Sequence, residues 1–289
     1  MDLKQEFLIF LKGLAMGVAD IIPGVSGGTI ALITGIYERL VFGIRDIDFK
    51  FLLFAIKGDF KRAKENFLDI DLALFVPLLS GLGVSFTLFA GVIDFCLNVF
   101  PALTFAFFFG LILASARTVF AKIKNRDALT IGFIFLGLFL GVAITLLNPV
   151  KSNPSPLVIV GSGMVAICAM ILPGISGAFL LLLLGQYEFI VRALHNFDFV
   201  ALAIFNVGTI SGIILFSRLL AFLLKKHESR VLGFLTGLMI GGLNMPLQRV
   251  GENMPRAGLL LPVIAALAGI VVVMLLEFFS GKHELLENH

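Results

Sequence analysis

One short motif that occurs twice contains the residue types from which an anion site is built. Residues 21–28 read Ile-Ile-Pro-Gly-Val-Ser-Gly-Gly, and 150 positions later residues 171–178 read Ile-Leu-Pro-Gly-Ile-Ser-Gly-Ala. Proline ends an incoming helix and glycine permits a tight reversal, so a new helix should begin near each serine. The free N–H groups and positive dipole of a helix start attract anions, and serine hydroxyls add donors. The predicted anion-binding residues are Ser26, Gly27, Gly28, Thr29, Ser176 and Gly177.

Three arginines in or beside apolar stretches are candidate counter-charges for the anion. A guanidinium is permanently charged, and its planar fork can contact a phosphate in two places. The candidates are Arg39, Arg117 and Arg218. Arg117 and Arg218 lie towards the ends of long apolar stretches, so the alternative for these two is that the side chain simply reaches the membrane surface.

Ionisable residues beside the motif form a second candidate group. An aspartate precedes the first reversal, and a Tyr-Glu pair follows each copy of the motif at equivalent positions. Ionisable residues inside membrane segments are functional candidates by default. For the two glutamates the alternative is a local ion pair with the nearby arginine at a helix end. The predicted gating or proton-coupling residues are Asp20, Tyr37, Glu38, Tyr187 and Glu188.

The first copy of the motif also fits the Gly-x-Ser-x-Gly pattern of serine hydrolases, but other features argue against an enzyme. The second copy breaks the pattern at Ala178, and a serine nucleophile needs a base within hydrogen-bond reach. None of the four histidines falls inside an expected span; they are His195, His227, His283 and His289. The two cysteines, Cys96 and Cys168, lie in apolar stretches and cannot build a zinc site. No catalysis, metal or cofactor is expected.

Composition indicates the environment in which these residues must be positioned. Of 289 residues, 59% are hydrophobic and 14% are charged. A soluble domain of this length has too little interior to bury so much apolar surface. Disorder is excluded for the same reason, and a net charge of +3 does not indicate a nucleic-acid partner. The chain is predicted to be an all-α polytopic membrane protein.

Ten apolar stretches can be followed along the chain: 7–22, 25–43, 72–97, 101–121, 128–148, 157–172, 175–191, 200–224, 231–248 and 258–279. A bilayer-spanning helix needs roughly 20 apolar residues. The last three stretches of each half meet this need, whereas the first two of each half are short and meet at Pro-Gly. Such broken segments in matching places are typical of re-entrant helices around a binding site, although two short crossings remain the alternative.

The repeat extends well beyond the motif. Gly35 matches Gly185, and the pair Asp48-Phe49 matches Asp198-Phe199, all at an offset of 150. The offset then falls to 127, because the second half lacks most of an insert at about 45–71. We predict two repeats, residues 1–150 and 151–289, each with one short helix pair and three spans. An odd number of crossings turns the second repeat upside down relative to the first, as in secondary transporters.

Basic residues predict the orientation of the chain in the membrane. They are concentrated in alternate connections, at 45–64, 117–126 and 225–230, which places both termini in the cytoplasm. Within the insert, phenylalanines, leucines and Ile56 are interspersed with lysines. This pattern favours one amphipathic helix on the cytoplasmic surface, where lysines are attracted to anionic headgroups.

The doubled Pro-Gly-[Val/Ile]-Ser-Gly motif followed by Gly-x-Tyr-Glu, on a chain of this length and hydrophobicity, resembles the PopT family of polyprenyl-phosphate transporters. The resemblance covers essentially the whole chain, and residues 17–29 carry its most specific part. It implies that the protein returns undecaprenyl phosphate, the lipid carrier of envelope polysaccharide synthesis, to the cytoplasmic leaflet. Ala178 and Phe189, opposite Gly28 and Arg39, depart from symmetry, so the two half-sites need not contribute equally.

The function expected from these features is a lipid-phosphate translocase of a prokaryotic cytoplasmic membrane. The paired helix starts and arginines would hold the phosphate, the prenyl tail would stay in the bilayer, and one repeat would rock against the other. The alternative is a channel or secondary transporter for a small soluble anion. The expected partners are the polyprenyl-phosphate lipid and the bilayer, with no nucleic acid, and a homodimer is left open.

Overall fold

A computed structural model describes residues 3–22, 25–47, 50–150, 152–254 and 258–287, without the side chains of residues 51–53 and 279–287. The described residues form fourteen helices. Those of the first half are α1 (Leu3–Ile21), α2 (Gly27–Ile33), α3 (Tyr37–Asp46), α4 (Lys50–Ile56), α5 (Phe60–Leu68), α6 (Leu72–Val99), α7 (Pro101–Ala121) and α8 (Ala128–Leu146). Those of the second half are α9 (Pro156–Ile171), α10 (Gly177–Leu183), α11 (Tyr187–His195), α12 (Phe199–Gly242), α13 (Asn244–Glu252) and α14 (Leu260–Glu287).

The expected all-α membrane architecture is confirmed. Among the described residues, five helical segments are long and apolar enough to cross a bilayer, or up to seven if each bent helix pair counts as one span. One of the five, Phe199–Glu252, joins α12 and α13 into 54 residues, more than twice what a crossing needs.

A backbone break inside α12 explains its length. His227 has non-helical angles, φ −139° and ψ 41°, which divide the helix into a first arm (199–226) and a second arm (228–242). Phe100, which lies between α6 and α7, has nearly the same angles, φ −130° and ψ 49°. The two residues are 127 positions apart, the offset found in the sequence. The two arms of α12 are therefore the counterparts of α6 and α7.

Short polar side chains begin seven of the fourteen described helices. Ser26, Asp59, Asp71, Asp127, Ser155, Ser176 and Asp198 each accept a hydrogen bond from a backbone N–H in the first helical turn. This is the standard N-cap arrangement. Asp71 and Asp198 cap α6 and α12, so the structural counterpart of Asp198 is Asp71. Asp48 and Phe49, matched to Asp198 and Phe199 in the sequence, lie outside the described residues.

Equivalent residues of the two halves make equivalent close approaches. Helix α1 packs against α6, and a Cβ atom at Gly81 would overlap the carbonyl oxygen of Phe10. Helix α9 packs against the first arm of α12, and a Cβ at Gly208 would overlap the carbonyl oxygen of Val160. Gly208 lies 127 positions after Gly81, and Val160 lies 150 positions after Phe10, which are the two offsets of the repeat. Small residues are what lets membrane helices approach so closely.

The last helix of each half packs against the other half. Helix α14 lies along α7, where a Cβ at Gly110 would overlap the carbonyl oxygen of Ala266. Helix α8 lies along α12, where a Cβ at Gly237 would overlap the carbonyl oxygen of Ile134. The two halves are therefore interlocked and share one core.

Three expectations about continuous segments are wrong. The stretches 25–43 and 175–191 are each two helices, α2–α3 and α10–α11, bent by 115° and 111°. The bends follow Gly35 and Gly185, whose φ angles of 76° and 65° suit a residue without a Cβ. The stretch 231–248 is also divided, because α12 ends at Gly242 and α13 begins at Asn244.

The insert also differs from the expected single amphipathic helix. It contains two short helices, α4 and α5, separated by Gly58 with a φ of 77° and by Asp59, which caps α5. Apolar side chains of this region are exposed in the isolated chain, among them Ile56, Phe60 and Leu68. The break leaves an apolar and basic surface on two helices rather than one.

Candidate functional site

Both copies of the serine motif form the start of a seven-residue helix, as expected. Ser26 is 1% exposed, and its hydroxyl accepts a hydrogen bond from the Gly28 N–H at 3.1 Å. Ser176 is also buried and accepts from the Phe179 N–H at 3.5 Å. Pro23 and Gly24 lie outside the described residues, whereas Gly174 of the second copy has a φ of 88°. We call residues 25–29 the first tip and residues 170–178 the second tip.

The structure brings the two tips into direct contact. The Ser26 Oγ lies 3.2 Å from the carbonyl oxygen of Met170 and 3.1 Å from that of Leu172, and its single hydrogen can serve one of them at a time. From the second tip, the Gly174 N–H donates to Thr29 Oγ1 at 3.2 Å. The predicted residues Ser26 and Thr29 therefore also join the two halves of the chain.

Close packing at the contact explains one departure from symmetry. A Cβ atom at Gly28 would lie 2.6 Å from the carbonyl oxygen of Ile171, so no larger residue fits without a shift. Its counterpart in the second half is Ala178. The contact between the tips therefore requires glycine at position 28, whereas the equivalent position 178 has a Cβ atom.

A carboxylate of the chain itself occupies the start of α2. The Gly27 N–H donates to Asp20 Oδ1 at 2.7 Å. Asp20 lies in the last turn of α1, which places its negative charge at the positive end of α2. An external anion at this tip would have to compete with the Asp20 side chain. Asp20 thus lies within the predicted anion site rather than beside it.

Two lysines hold the opposite end of α2. Lys12 donates from Nζ to the carbonyl oxygen of Thr34 at 2.7 Å, and Lys122 donates to that of Leu32 at 3.3 Å. Positive charge is favourable at the carbonyl end of a helix. Helix α2 is therefore bound by charged side chains at both ends.

Helix α10 has the same length but different surroundings. The residues equivalent to Asp20 and Lys12 are Met170 and Ser162, and the Met170 side chain lies against Gly177 as the Asp20 carboxylate lies against Gly27. At the carbonyl end of α10, neutral groups donate: the Val150 N–H to Leu183 at 2.8 Å and the Ser152 hydroxyl to Leu184 at 2.5 Å.

A small cleft opens beside the second tip. It has room for little more than a water molecule. Ser176 lines it with Thr145 from α8 and Met245 from α13. Asn244 donates from Nδ2 to Thr145 Oγ1 at 2.8 Å, so amide and hydroxyl groups surround this end of the cleft. The second tip therefore combines buried polar groups with some open space.

The three candidate arginines do not converge in this structure. Arg39 forms a bidentate ion pair with Asp71, with nitrogen–oxygen distances of 2.8 and 3.0 Å. Since Asp71 also caps α6, this pair fastens α3 to the start of that helix. Arg117 and Arg218 are exposed on α7 and α12, and neither forms an ion pair within the described residues.

The repeated Tyr-Glu pairs have unequal environments. Tyr37 is 3% exposed, and its hydroxyl has no hydrogen-bond partner among the described residues. Tyr187, its counterpart, is 41% exposed. Glu38 and Glu188 are both exposed at the starts of α3 and α11. The sequence symmetry at these positions is thus not matched by symmetric burial.

Comparison with known proteins identifies the family. A family model described as undecaprenyl phosphate translocase-like matches residues 16–259, a range that includes both tips. The chain belongs to this family. No solved structure matches it.

Two relatives of this chain are both named polyprenyl-phosphate transporters. A polyprenyl-phosphate transporter of Vibrio cholerae serotype O1 is 40% identical over 238 residues, which cover 81% of this chain and 75% of that protein. A polyprenyl-phosphate transporter of Staphylococcus aureus is 27% identical over 256 residues, which cover 82% of this chain and 85% of that protein. Together with its apolar spans, these matches make the chain a multi-pass bacterial membrane protein.

Sequence reasoning missed two polar residues of this chain. Lys12 was not among the candidates, although a lysine inside an apolar stretch is unusual. Glu277 was also missed, although it is the one carboxylate of the stretch 258–279. In the structure the Thr118 hydroxyl donates to Glu277 Oε1, which joins α7 to α14. A search for every charge inside an apolar stretch would have found both residues.

Proposed function

We propose that this protein moves polyprenyl phosphate, specifically undecaprenyl phosphate, across the bacterial cytoplasmic membrane by alternating access. The observation that carries the proposal is the match of an undecaprenyl phosphate translocase-like family model to most of the chain, including both tips. The names of the two relatives point to the same lipid class. Inversion of the second repeat, with both termini in the cytoplasm, is part of the proposal.

The phosphate is proposed to bind where the two tips meet. Ser26, Gly27, Gly28 and Thr29 come from the first tip, and Ser176 and Gly177 come from the second. Because backbone N–H groups at helix starts favour negative charge, this junction offers hydrogen-bond donors to a phosphate. The prenyl tail remains among the exposed apolar side chains of the spans, in contact with lipid.

The two tips are proposed to act unequally. The Asp20 carboxylate already neutralises the start of α2, whereas Met170 brings no charge to the start of α10. The second tip also borders the cleft that Ser176 and Thr145 line. The lipid phosphate is therefore proposed to reach Ser176 and Gly177 first, and to reach the first tip only when Asp20 moves away.

Counter-charge is proposed to come from Arg117 and Arg218, which have no ion-pair partner among the described residues. Arg39 joins them only if its ion pair with Asp71 opens. The exposed Glu38 and Glu188, with Tyr37 and Tyr187, are proposed to form part of the gate at the starts of α3 and α11. The insert, with its exposed Ile56 and Phe60 among lysines, is proposed to lie on the cytoplasmic surface.

The decisive experiment introduces the missing carboxylate into the second tip. Purified protein in liposomes is given a short-chain polyprenyl phosphate, and its movement between leaflets is followed. Met170→Asp should slow transport by at least about tenfold, because a hydrogen-bonded carboxylate at Gly177 must be displaced by the phosphate, at a cost above about 1.4 kcal/mol. Met170→Leu, a neutral replacement of similar volume, is the matched control and should retain the wild-type rate.

Each outcome bears on a different part of the proposal. Absence of lipid movement by the wild-type protein would show that the proposed activity is wrong. Wild-type rates for Met170→Asp would show that the phosphate does not bind at the second tip. Rapid flux of inorganic phosphate or chloride, without movement of the lipid, would support the soluble-anion transporter instead.

A further inference from the structure

Glu277 is a carboxylate near the end of the last apolar helix and takes no part in the tips. It lies on α14, is partly buried, and follows an uninterrupted apolar run from Leu260. It also lies beyond residues 16–259, which the family model matches. A carboxylate inside an apolar span is a functional candidate by default, and its hydrogen-bond partner shows how the protein holds it.

Thr118 of α7 is that partner, and it can act in two ways. Its hydroxyl donates to Glu277 Oε1, and its Oγ1 also lies 3.0 Å from the carbonyl oxygen of Ala114. A hydroxyl has one hydrogen and can donate to only one acceptor at a time. When Glu277 is ionised, Thr118 donates to the carboxylate. When Glu277 is protonated, the acid donates to Thr118 Oγ1, and Thr118 donates to Ala114. Glu277 Oε1 therefore has Thr118 as a hydrogen-bond partner in both protonation states.

The charged groups near Glu277 come from the elements that pack against α14. Helix α14 packs chiefly against α7 and touches α2. The ionisable group on α7 is Arg117, Lys122 follows at the end of that helix, and α2 has none. Lys122 donates to Leu32, and neither cation forms an ion pair with Glu277 among the described residues.

Helix α13 brings its charges to the other end of α14. Val250 of α13 packs near Ala265, which lies 12 residues from Glu277, or about 18 Å along a helix. The charged residues of α13 are Arg249 and Glu252, and they pair with each other at 3.1 Å. The charge of Glu277 is therefore not permanently neutralised by these elements.

We infer that Glu277 binds and releases a proton during the transport cycle, with Thr118 as the hydroxyl that changes its acceptor. The inference rests on the proposed function, since the proton is coupled to lipid movement. The step is a simple protonation: a proton from water adds to a Glu277 carboxylate oxygen, α14 carries a neutral side chain, and the same proton returns to water. No other bond forms or breaks.

The experiment combines transport with a direct readout of the carboxyl group. Liposomes containing the full chain receive a short-chain polyprenyl phosphate, with and without an imposed pH gradient. The wild-type rate should respond to the gradient, and Glu277→Gln should lose this response, because the amide cannot exchange a proton. Glu252→Gln, a change of the same kind at an exposed glutamate, should respond as the wild type does.

Infrared difference spectra between acidic and alkaline samples provide the second readout. The wild type should show a protonated-carboxyl band that is lost in Glu277→Gln and retained in Glu252→Gln. Thr118→Val should shift that band and weaken the gradient response, because the hydroxyl is removed at nearly constant volume. Thr118→Ser, which keeps the hydroxyl, should restore both. These threonine variants also decide the matter if Glu277→Gln does not fold.

A gradient response that survives in Glu277→Gln, or a spectrum in which no band depends on Glu277, would overturn the inference. Failure of the wild type to move lipid at all would instead contradict the proposed function. The infrared band would still show whether Glu277 exchanges a proton, so the two failures are distinguishable.

Discussion

Helices α2 and α10 start from the same serine motif and have the same length, yet they are held by different kinds of interaction. Among the described residues, Asp20 binds the start of α2, and Lys12 and Lys122 bind its end. Neutral donors from residues 150 and 152 bind the end of α10. The two copies of the motif thus share a helix of the same length and the same cap, while their electrostatic surroundings differ.

The difference shows how one fold can combine a fixed and a movable copy of the same element. Breaking a hydrogen bond between a backbone group and a charged side chain inside a membrane protein is costly, because the surroundings screen charge poorly. Rearranging neutral hydrogen bonds costs less. We therefore expect α2 to remain in place during the cycle and α10 to be the helix that rearranges.

Removal of the Asp20 carboxylate should have the largest effect on this difference. Asp20→Ala leaves the Gly27 N–H without its charged acceptor and should lower the free energy of unfolding by about 1–3 kcal/mol. Equilibrium unfolding in dodecyl sulfate measures this change. The equivalent substitution in the second half, Met170→Ala, removes no hydrogen bond and should cost less. Equal losses at the two positions would contradict the idea that α2 is the more firmly held helix.

Removal of one of the two lysines at the other end of α2 should have an intermediate effect. Lys12→Met keeps the apolar stem and removes the charge that binds Thr34, with an expected loss of about 1 kcal/mol. The counterpart Ser162 bonds to Val158 of its own helix, so Ser162→Ala should cost little. The same unfolding assay measures both variants. A larger loss of unfolding free energy for Ser162→Ala than for Lys12→Met would contradict the idea that α2 is the more firmly held helix.

The smallest effect is expected from Arg39, which has Phe189 as its counterpart. Its ion pair with Asp71 is partly exposed, with 39% and 34% of the two side chains accessible, and partly exposed pairs contribute less than about 1 kcal/mol. Arg39→Met should therefore change stability by less than that amount. The transport rate of the same variant is the more informative measurement. A large loss of transport at nearly constant stability would show that Arg39 leaves Asp71 to contact the phosphate.

Sequence patterns predicted those parts of the fold that depend on local chemistry. The serine helix starts followed from the residues that end and begin helices, and the apolar stretches followed from the thickness of a bilayer. The 127-residue offset also predicted the counterparts of α6 and α7, although α12 appears at first to be one helix. Periodicity alone could not show the bends after Gly35 and Gly185, because apolar residues continue on both sides of each glycine.

The candidate site was less predictable, because its polar partners come from distant parts of the chain. No residue near Asp20 in the sequence indicates that its carboxylate accepts a hydrogen bond from Gly27, seven positions later. Likewise, no residue near Arg39 indicates its ion pair with Asp71, 32 positions later. One signal was present, however. Aligning the two halves places Met170 opposite Asp20, and such a loss of charge in one copy marks the point where the half-sites differ.

The interlocked packing of α8 and α14 has a consequence for how this protein can move. Each of these helices lies along a partner from the opposite half, at Gly237 and Gly110 respectively. A hinge between residues 150 and 151 that moved one half against the other would break both contacts. In the proposed alternating-access cycle, each moving body would have to contain helices from both halves, so the boundary of motion would cross the boundary between the repeats instead of following it.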